Sequence, residues 1–336
     1  MNENKLEEYK KVLSKGISQR GKIEKIVSEI FKKEIKNVYL VGCGGSFACM
    51  FPCKYILETN SKLPVYIYNS SEFLSIKPVN LSDKSLVILS SYTGETGETV
   101  DAAKYVNEVG ATTIGFTGKE DSSLGKTVQN VFANDAKVGI TDSKIIMLYQ
   151  VMFNVVKHND NYPRYEEMME AISTLSENLY NIKRMVKDRA EKFSQQNKNE
   201  KYFMVIGSGP CWGETYSFAT CVLEEMQWII AQPVHAGEYF HGAFEIVKEK
   251  TNLLILKGED LTRNLVNRVE NFSKKYSENI TIIDTKDYKL PGISDDLRGY
   301  FSPLVLSAIL DVFAENLAKQ REHPLSTRRY MGKVTY

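Results

Sequence analysis

Lys36-Asn-Val-Tyr-Leu-Val-Gly-Cys-Gly-Gly-Ser46 passes from an apolar, β-rich segment straight into a glycine turn, and a helical pattern from Phe47 to Leu57 follows. An apolar run of this kind suits a strand buried on both faces of a parallel sheet. The order strand, glycine turn, helix start sets backbone N–H groups and the positive end of a helix dipole where an anion binds. A dinucleotide fingerprint needs a third glycine three residues after Gly44, where Phe47 stands. It also needs an acidic residue ending the next strand, where Val65-Tyr-Ile-Tyr68 leads into Asn69. No Gly-Lys-Ser/Thr follows the turn, so a P-loop nucleotide site is excluded as well.

The second half of this phosphate cradle is Leu86-Val-Ile-Leu-Ser-Ser-Tyr-Thr-Gly-Glu-Thr96, a buried-strand pattern before a helix from about Glu98 to Val109. Ser and Thr at a helix start serve as ordinary N-caps. Ser90, Ser91, Thr93 and Thr96 crowd together at one strand edge, however, where open α/β sheets hold their ligands. Hydroxyls placed there donate to a phosphate monoester, which carries about −1.5 to −2 charges. Gly44, Ser46, Ser91, Tyr92, Thr93 and Thr96 are the expected ligand contacts of this half, in a crevice sized for a sugar phosphate.

Further strands are expected at Ala111–Thr117 and Asn130–Ala133, with a charged helix from about Lys5 to Lys33 before them and a helix from Ser143 to about Val156 after them. The pattern then restarts. Tyr202-Phe-Met-Val-Ile-Gly-Ser-Gly209 echoes the Val38 strand and turn at an offset of 165, and Leu253-Leu-Ile-Leu-Lys-Gly-Glu259 echoes Val87–Glu95 weakly, with Leu256 and Lys257 in the places of Tyr92 and Thr93. The fold class is therefore α/β: two tandem, doubly wound parallel-sheet domains of flavodoxin-like type. The expected bounds are 1–160 for the N-terminal helix and first domain, 161–197 for a polar helical connector, and 198–336 for the second domain and tail. The loss of hydroxyls in the second copy suggests that one half binds phosphate while the other supplies chemistry.

That chemistry points to Leu223–Glu245, where Glu224 and Glu225 end an apolar helical stretch and His235, Glu238, His241 and Glu245 follow. Two of the chain's four histidines lie here, and carboxylates beside an imidazole move protons near neutral pH. A Glu-rich surface helix accounts for the same composition. His235 and His241, six residues apart, cannot share one helix face, so no metal is expected. The five cysteines read as reduced thiols, since Cys43, Cys49 and Cys53 fall in a turn and a helix rather than a Cys-x-x-Cys pair. A net charge of +1 over 336 residues gives nucleic acid nothing to hold. No apolar run approaches a membrane span and Met1–Glu8 is too charged for a signal peptide, so a cytoplasmic protein is expected.

Gly42–Ser46 paired with Ser91–Thr96 resembles the sugar isomerase (SIS) domain, and Glu225–His241 resembles the second SIS domain of glucosamine-6-phosphate synthase. His323-Pro-Leu-Ser-Thr-Arg-Arg-Tyr-Met-Gly-Lys333 resembles the tail of the fructoselysine-6-phosphate deglycase group, and the likeness spans nearly the whole chain. The resemblance implies Glu225 as the proton-transferring base, sixteen residues before the motif histidine His241, with Glu224 as a solvated neighbour. It also implies a homodimer or higher homo-oligomer in which His241 reaches the other subunit's site. Glu238 would orient His241, or else act as a cap or ion-pair partner. Tyr92 replaces the glutamine of the synthase's loop and the ammonia-supplying domain is missing, which turns the expectation away from amination. Arg328 and Arg329 offer planar forks for an amino acid carboxylate, or an interface salt bridge. The implied activity is cleavage of a fructosamine 6-phosphate, a small-molecule sugar phosphate with an amino acid moiety, to an amino acid and an aldose 6-phosphate without a cofactor. An aldose/ketose or aminosugar phosphate isomerase or deaminase, and a non-catalytic sugar-phosphate sensor, are the alternatives.

Overall fold

The five apolar segments of the N-terminal half pair in parallel in the computed structural model, which describes residues 2–335. They are β1 (Asn37–Gly42), β2 (Val65–Asn69), β3 (Ser85–Ser90), β4 (Thr112–Thr117) and β5 (Asn130–Ala133), in the order β2-β1-β3-β4-β5. Every residue of the central strands β1, β3 and β4 is buried, whereas the edge strand β2 is half-buried throughout. The order reverses direction between β1 and β3, so the strand ends that open the crevice are immediate neighbours: Gly42 pairs with Ser90.

Helices cover both faces: α1 (Glu3–Ile17), α2 (Arg20–Ile30), α3 (Gly45–Ala48), α4 (Met50–Asn60), α5 (Ser70–Ile76), α6 (Gly97–Val109), α7 (Ser123–Thr127), α8 (Ile140–Asp160) and α9 (Tyr165–Ser173). One core gathers Tyr39, Phe73, Val87, Leu89, Ala103 and Val106 beneath α5 and α6. The single N-terminal helix expected from Lys5 to Lys33 is two helices, broken at Ser18, whose hydroxyl folds back onto the Lys15 carbonyl. Nor does it merely precede the domain. Tyr9 donates to Asp142 of α8 at 2.6 Å, and Ser143 and Asn134 both donate to the Val12 carbonyl, which ties α1 to the domain core.

The C-terminal half forms its own parallel sheet from β6 (Tyr202–Gly207), β7 (Ile230–His235), β8 (Leu253–Lys257) and β9 (Ile280–Asp284), in the order β7-β6-β8-β9. Its helices are α10 (Leu175–Met185), α11 (Lys187–Asn197), α12 (Trp212–Ser217), α13 (Arg263–Tyr276) and α14 (Arg298–Gln320). Contacts divide the chain into one unit of residues 2–177 with 291–294 and another of 178–290 with 295–336. Within the second, α11 packs on α14 through Phe193 and Phe313, whose ring centroids are 4.8 Å apart. α14 is long and apolar enough to cross a membrane, which the sequence reading overlooked. Most of it is buried, and its length and composition are those of a core helix.

Two strands of this sheet escaped the sequence reading, β7 and β9, and both are edges. Pro233 sits inside β7, a position that an edge strand tolerates because one side of its ladder is open. The ladders also correct the register of the second copy. Ile206 pairs with Ile255, so with Gly207 set on Gly42, Leu256 is level with Ser90 and Lys257 with Ser91. Gly258 and Glu259, not Leu256 and Lys257, therefore take the places of Tyr92 and Thr93. Ser90, Ser91 and Thr93 thus have no hydroxyl counterpart in the second copy, whereas the same offset sets Thr262 on Thr96.

Candidate functional site

In the first unit, the loop after β3 is a hydroxyl-lined turn with little slack. Ser91 N–H extends the ladder to the Phe116 carbonyl at 3.0 Å, which fixes its backbone, and its side chain is buried. Ser91 Oγ accepts from the Gly94 N–H at 3.0 Å and lies 2.9 Å from Thr96 Oγ1. Thr96 stands at the N-cap of α6 but makes no side-chain cap bond, since its hydroxyl is turned to Ser91. Thr93 Oγ1 accepts from the Glu95 N–H at 3.1 Å, and the exposed Tyr92 contributes its carbonyl to the Gly118 N–H. Gly94 is obligatory here: its φ is +78°, and a Cβ would lie 2.2 Å from Ser122 Oγ and 2.3 Å from Thr117 Oγ1. Glu95 ties the loop to α7 by accepting from the Ser123 hydroxyl and N–H, and those bonds hold its carboxyl below the usual range.

The turn after β1 lies on the adjacent strand end. Gly44 takes φ +53°, and Ser46, which follows one residue into the short α3, is buried. Ser46 Oγ accepts from Lys144 Nζ of α8 at 3.1 Å. The sequence reading did not find this lysine, which lies between Ser143 and Ile145 in a helix that carries several other polar residues. A cavity of about 480 Å³ opens beyond Tyr92 and Thr93, bordered by Lys119, Asp121 and Asp135.

In the second unit, Glu224 and Glu225 end a π-helical segment, Phe218–Met226. Such segments gather at functional sites because the widened turn re-aims side chains. Trp228 follows with φ +55°, a strained left-handed conformation for a bulky residue. Glu224 is exposed yet not merely solvated, for its Oε1 accepts from the Ala231 N–H of β7 at 3.3 Å. Glu225 Oε1 lies 2.7 Å from an Arg328 guanidinium nitrogen. Arg328 is steadied by the carbonyls of Leu325 and Thr327 at 2.8 Å each, and the Arg329 guanidinium covers the Trp228 ring at 4.2 Å. Both glutamates, Trp228, Ile230, both arginines and Tyr330 line one cavity of about 640 Å³.

The expected Glu238–His241 relation is a backbone one: the His241 N–H donates to the Glu238 carbonyl in a 3₁₀ turn, Tyr239–His241. Both side chains are exposed. The Glu238 charge instead acts on His235, whose imidazole is held below its usual range by burial, against that charge, and whose Nδ1 accepts from the Gly237 N–H. Among the described residues, no group of three or more His, Cys, Asp or Glu could hold a metal, and none of the five cysteines is in a disulfide.

The SIS domain model matches residues 31–155, which hold all of the first sheet and its cradle. The fructosamine deglycase FrlB of Bacillus subtilis (strain 168) is 38% identical over 317 residues, covering 94% of this chain and 97% of that protein. The chain belongs to the SIS-domain family of sugar-phosphate isomerases and deglycases. Another member, the fructoselysine 6-phosphate deglycase of Escherichia coli (strain K12), is 25% identical over 98% of this chain and 94% of its own. A crystal structure of a candidate phosphosugar isomerase from Bacillus subtilis superposes with a TM-score of 0.90 at 38% identity, over 96% of this chain and 100% of that one. The SIS fold persists at greater distance. The C-terminal domain of glucosamine-fructose-6-phosphate aminotransferase from Francisella tularensis gives a TM-score of 0.82 at 16% identity, with 96% of each chain covered.

Proposed function

We propose that this SIS protein is a fructosamine-6-phosphate deglycase. The observation that carries the reading is the cavity of the second unit, which holds a carboxylate, Glu225, against a cation, Arg328, beside Arg329 on Trp228. A ketoamine 6-phosphate of an amino acid brings a reactive C1 hydrogen and a carboxylate together, the two features that such a pair recognises. When the ligand's carboxylate takes the Arg328 fork, Glu225 loses its partner and is left as a free base. Glu225 then moves a proton from C1 to C2 through an enaminol, giving a C1 Schiff base that water cleaves to the amino acid and an aldose 6-phosphate. His241 manages the oxygen protons. The phosphate is held by Ser91, Thr93, Thr96 and Ser46, and the whole acts as a cytoplasmic homodimer with His241 serving the partner's site.

Incubating the protein with a panel of amino acid adducts of hexose 6-phosphates, followed by mass spectrometry, tests this. The expected result is equimolar release of free amino acid and aldose 6-phosphate. Interconversion of fructose and glucose 6-phosphates with the adducts left intact would replace deglycation by isomerisation, and no turnover of any of them would make the protein a sensor.

A further inference from the structure

Three lysines are buried among the described residues: Lys144, Lys183 and Lys257. Two are paired as physical chemistry requires, because taking an ammonium out of water is strongly unfavourable unless an anion meets it. Lys183 has Asp311 at 2.7 Å, and Lys257 has both Glu270 and Asp284 within 4.0 Å. Lys144 is the exception. It is 4% exposed, and its hydrogen-bond partner is a neutral hydroxyl, Ser46 Oγ at 3.1 Å. Among the described residues no carboxylate comes within ion-pair distance of it.

An ammonium carries three donors, so this one keeps unused donors and an uncompensated charge. The place is informative as well. Ser46 belongs to the turn after β1, and β1 is the immediate neighbour of β3, which ends in the hydroxyl loop. Since Lys144 donates to Ser46 Oγ, the serine's own proton must point to another acceptor. A positive charge without an anion, behind a serine whose proton is free, is a half-built anion site.

We propose that Lys144 is the fixed positive charge of the cradle, pairing with the phosphate dianion of the substrate and turning the Ser46 hydroxyl toward it. The hydroxyls of Ser91, Thr93 and Thr96 would then shape the site, while Lys144 selects phosphorylated over neutral sugars. This deepens the deglycase reading and rests on its cradle, but not on its proton chemistry.

The test is thermal unfolding of the full chain with inorganic phosphate, fructose 6-phosphate or fructose, in wild type and Lys144→Met. Wild type should be stabilised by both phosphates and not by fructose. In Lys144→Met that stabilisation should vanish, while the ligand-free melting temperature stays level or rises, because an unpaired buried charge has been removed. The KM for a phosphorylated ketoamine should rise about 10- to 100-fold with kcat largely kept, the scale of one hydrogen bond to a charged group. Lys144→Gln supplies a second neutral variant should the methionine variant not fold. A lower ligand-free melting temperature with the phosphate response intact would make Lys144 a structural strut and overturn the proposal, as would a wild type indifferent to phosphate. A phosphate response that is lost in the variant, in a protein that cleaves no ketoamine, would sink the deglycase reading and leave Lys144 in its role.

Discussion

Ser91→Ala separates the two tasks assigned to the hydroxyl loop. Ser91 is 1% exposed; its Oγ receives the Gly94 N–H at 3.0 Å and shares a proton with Thr96 Oγ1 at 2.9 Å. Removing it leaves a buried amide unpaired, at about 1 to 3 kcal/mol, and deletes one ordinary hydrogen bond of about 1 kcal/mol. The first unit should therefore lose about 2 to 4 kcal/mol, a fall of roughly 4 to 16 °C in melting temperature for a domain of this size. If Ser91 also donates to the phosphate, about 1.5 to 3 kcal/mol of binding goes with it, raising KM roughly 10- to 150-fold. Thr96→Val is the control, since it spares the Gly94 bond: melting should fall by only about 2 to 4 °C, yet KM should still rise. Scanning fluorimetry gives the first quantity and steady-state release of amino acid the second. Both variants melting early with KM unchanged would show that these hydroxyls only staple the turn.

Other consequences are as direct. Arg328→Gln removes a partly exposed ion pair, so stability should change by less than about 1 kcal/mol; KM should rise about tenfold for adducts bearing a free carboxylate and stay level for amine adducts, as competition assays with the two classes would show. Mixing inactive Glu225→Gln and His241→Asn chains should restore about a quarter of wild-type activity after subunit exchange, if each site takes one residue from each chain; no recovery would place both residues in one subunit. Burial holds the His235 imidazole below its ordinary 6.5, so the unfolded chain binds that proton more readily. Its stabilisation is complete above about 6.5 and is lost as pH falls from there through the folded-state value. His235→Gln, whose Oε1 can take over the Gly237 N–H, should flatten the loss of stability on acidification, measured by denaturant titration from pH 7.5 to 5, both approximate limits set around that value.

Much of this was legible because the first sheet is patterned simply. β1 and β3 are apolar runs, β4 is a β-rich run of Thr, Ile, Gly and Phe, and each leads into residues whose types announce a turn, so strands and turns could be read together. β7 was hidden because Ile230-Ala-Gln-Pro-Val-His235 carries a proline and a glutamine that only an edge position allows. β9 was hidden because it too is an edge, its acidic end paired with Arg263 rather than signalling a loop. The pairing of Glu225 with Arg328 joins residues more than a hundred positions apart and cannot be read from spacing. Lys144 went unseen for a related reason. A lone lysine in a sequence reads as solvated, and only the folded chain shows that this one is buried without a carboxylate.

The proton transfer from C1 to C2 by Glu225 is the claim on which the enzymatic reading stands. It is tested by running the reaction in deuterated water and locating the label in the released aldose 6-phosphate. A carboxylate that opens to solvent exchanges its proton, so deuterium should appear at C2 of the wild-type product. Glu225→Gln keeps the shape and removes the base, so kcat should fall on the order of 10²- to 10⁴-fold with KM little changed. Glu224→Gln, which can still accept from the Ala231 N–H, should stay near wild type. Product without label at C2, formed at a rate indifferent to Glu225→Gln, would contradict the account.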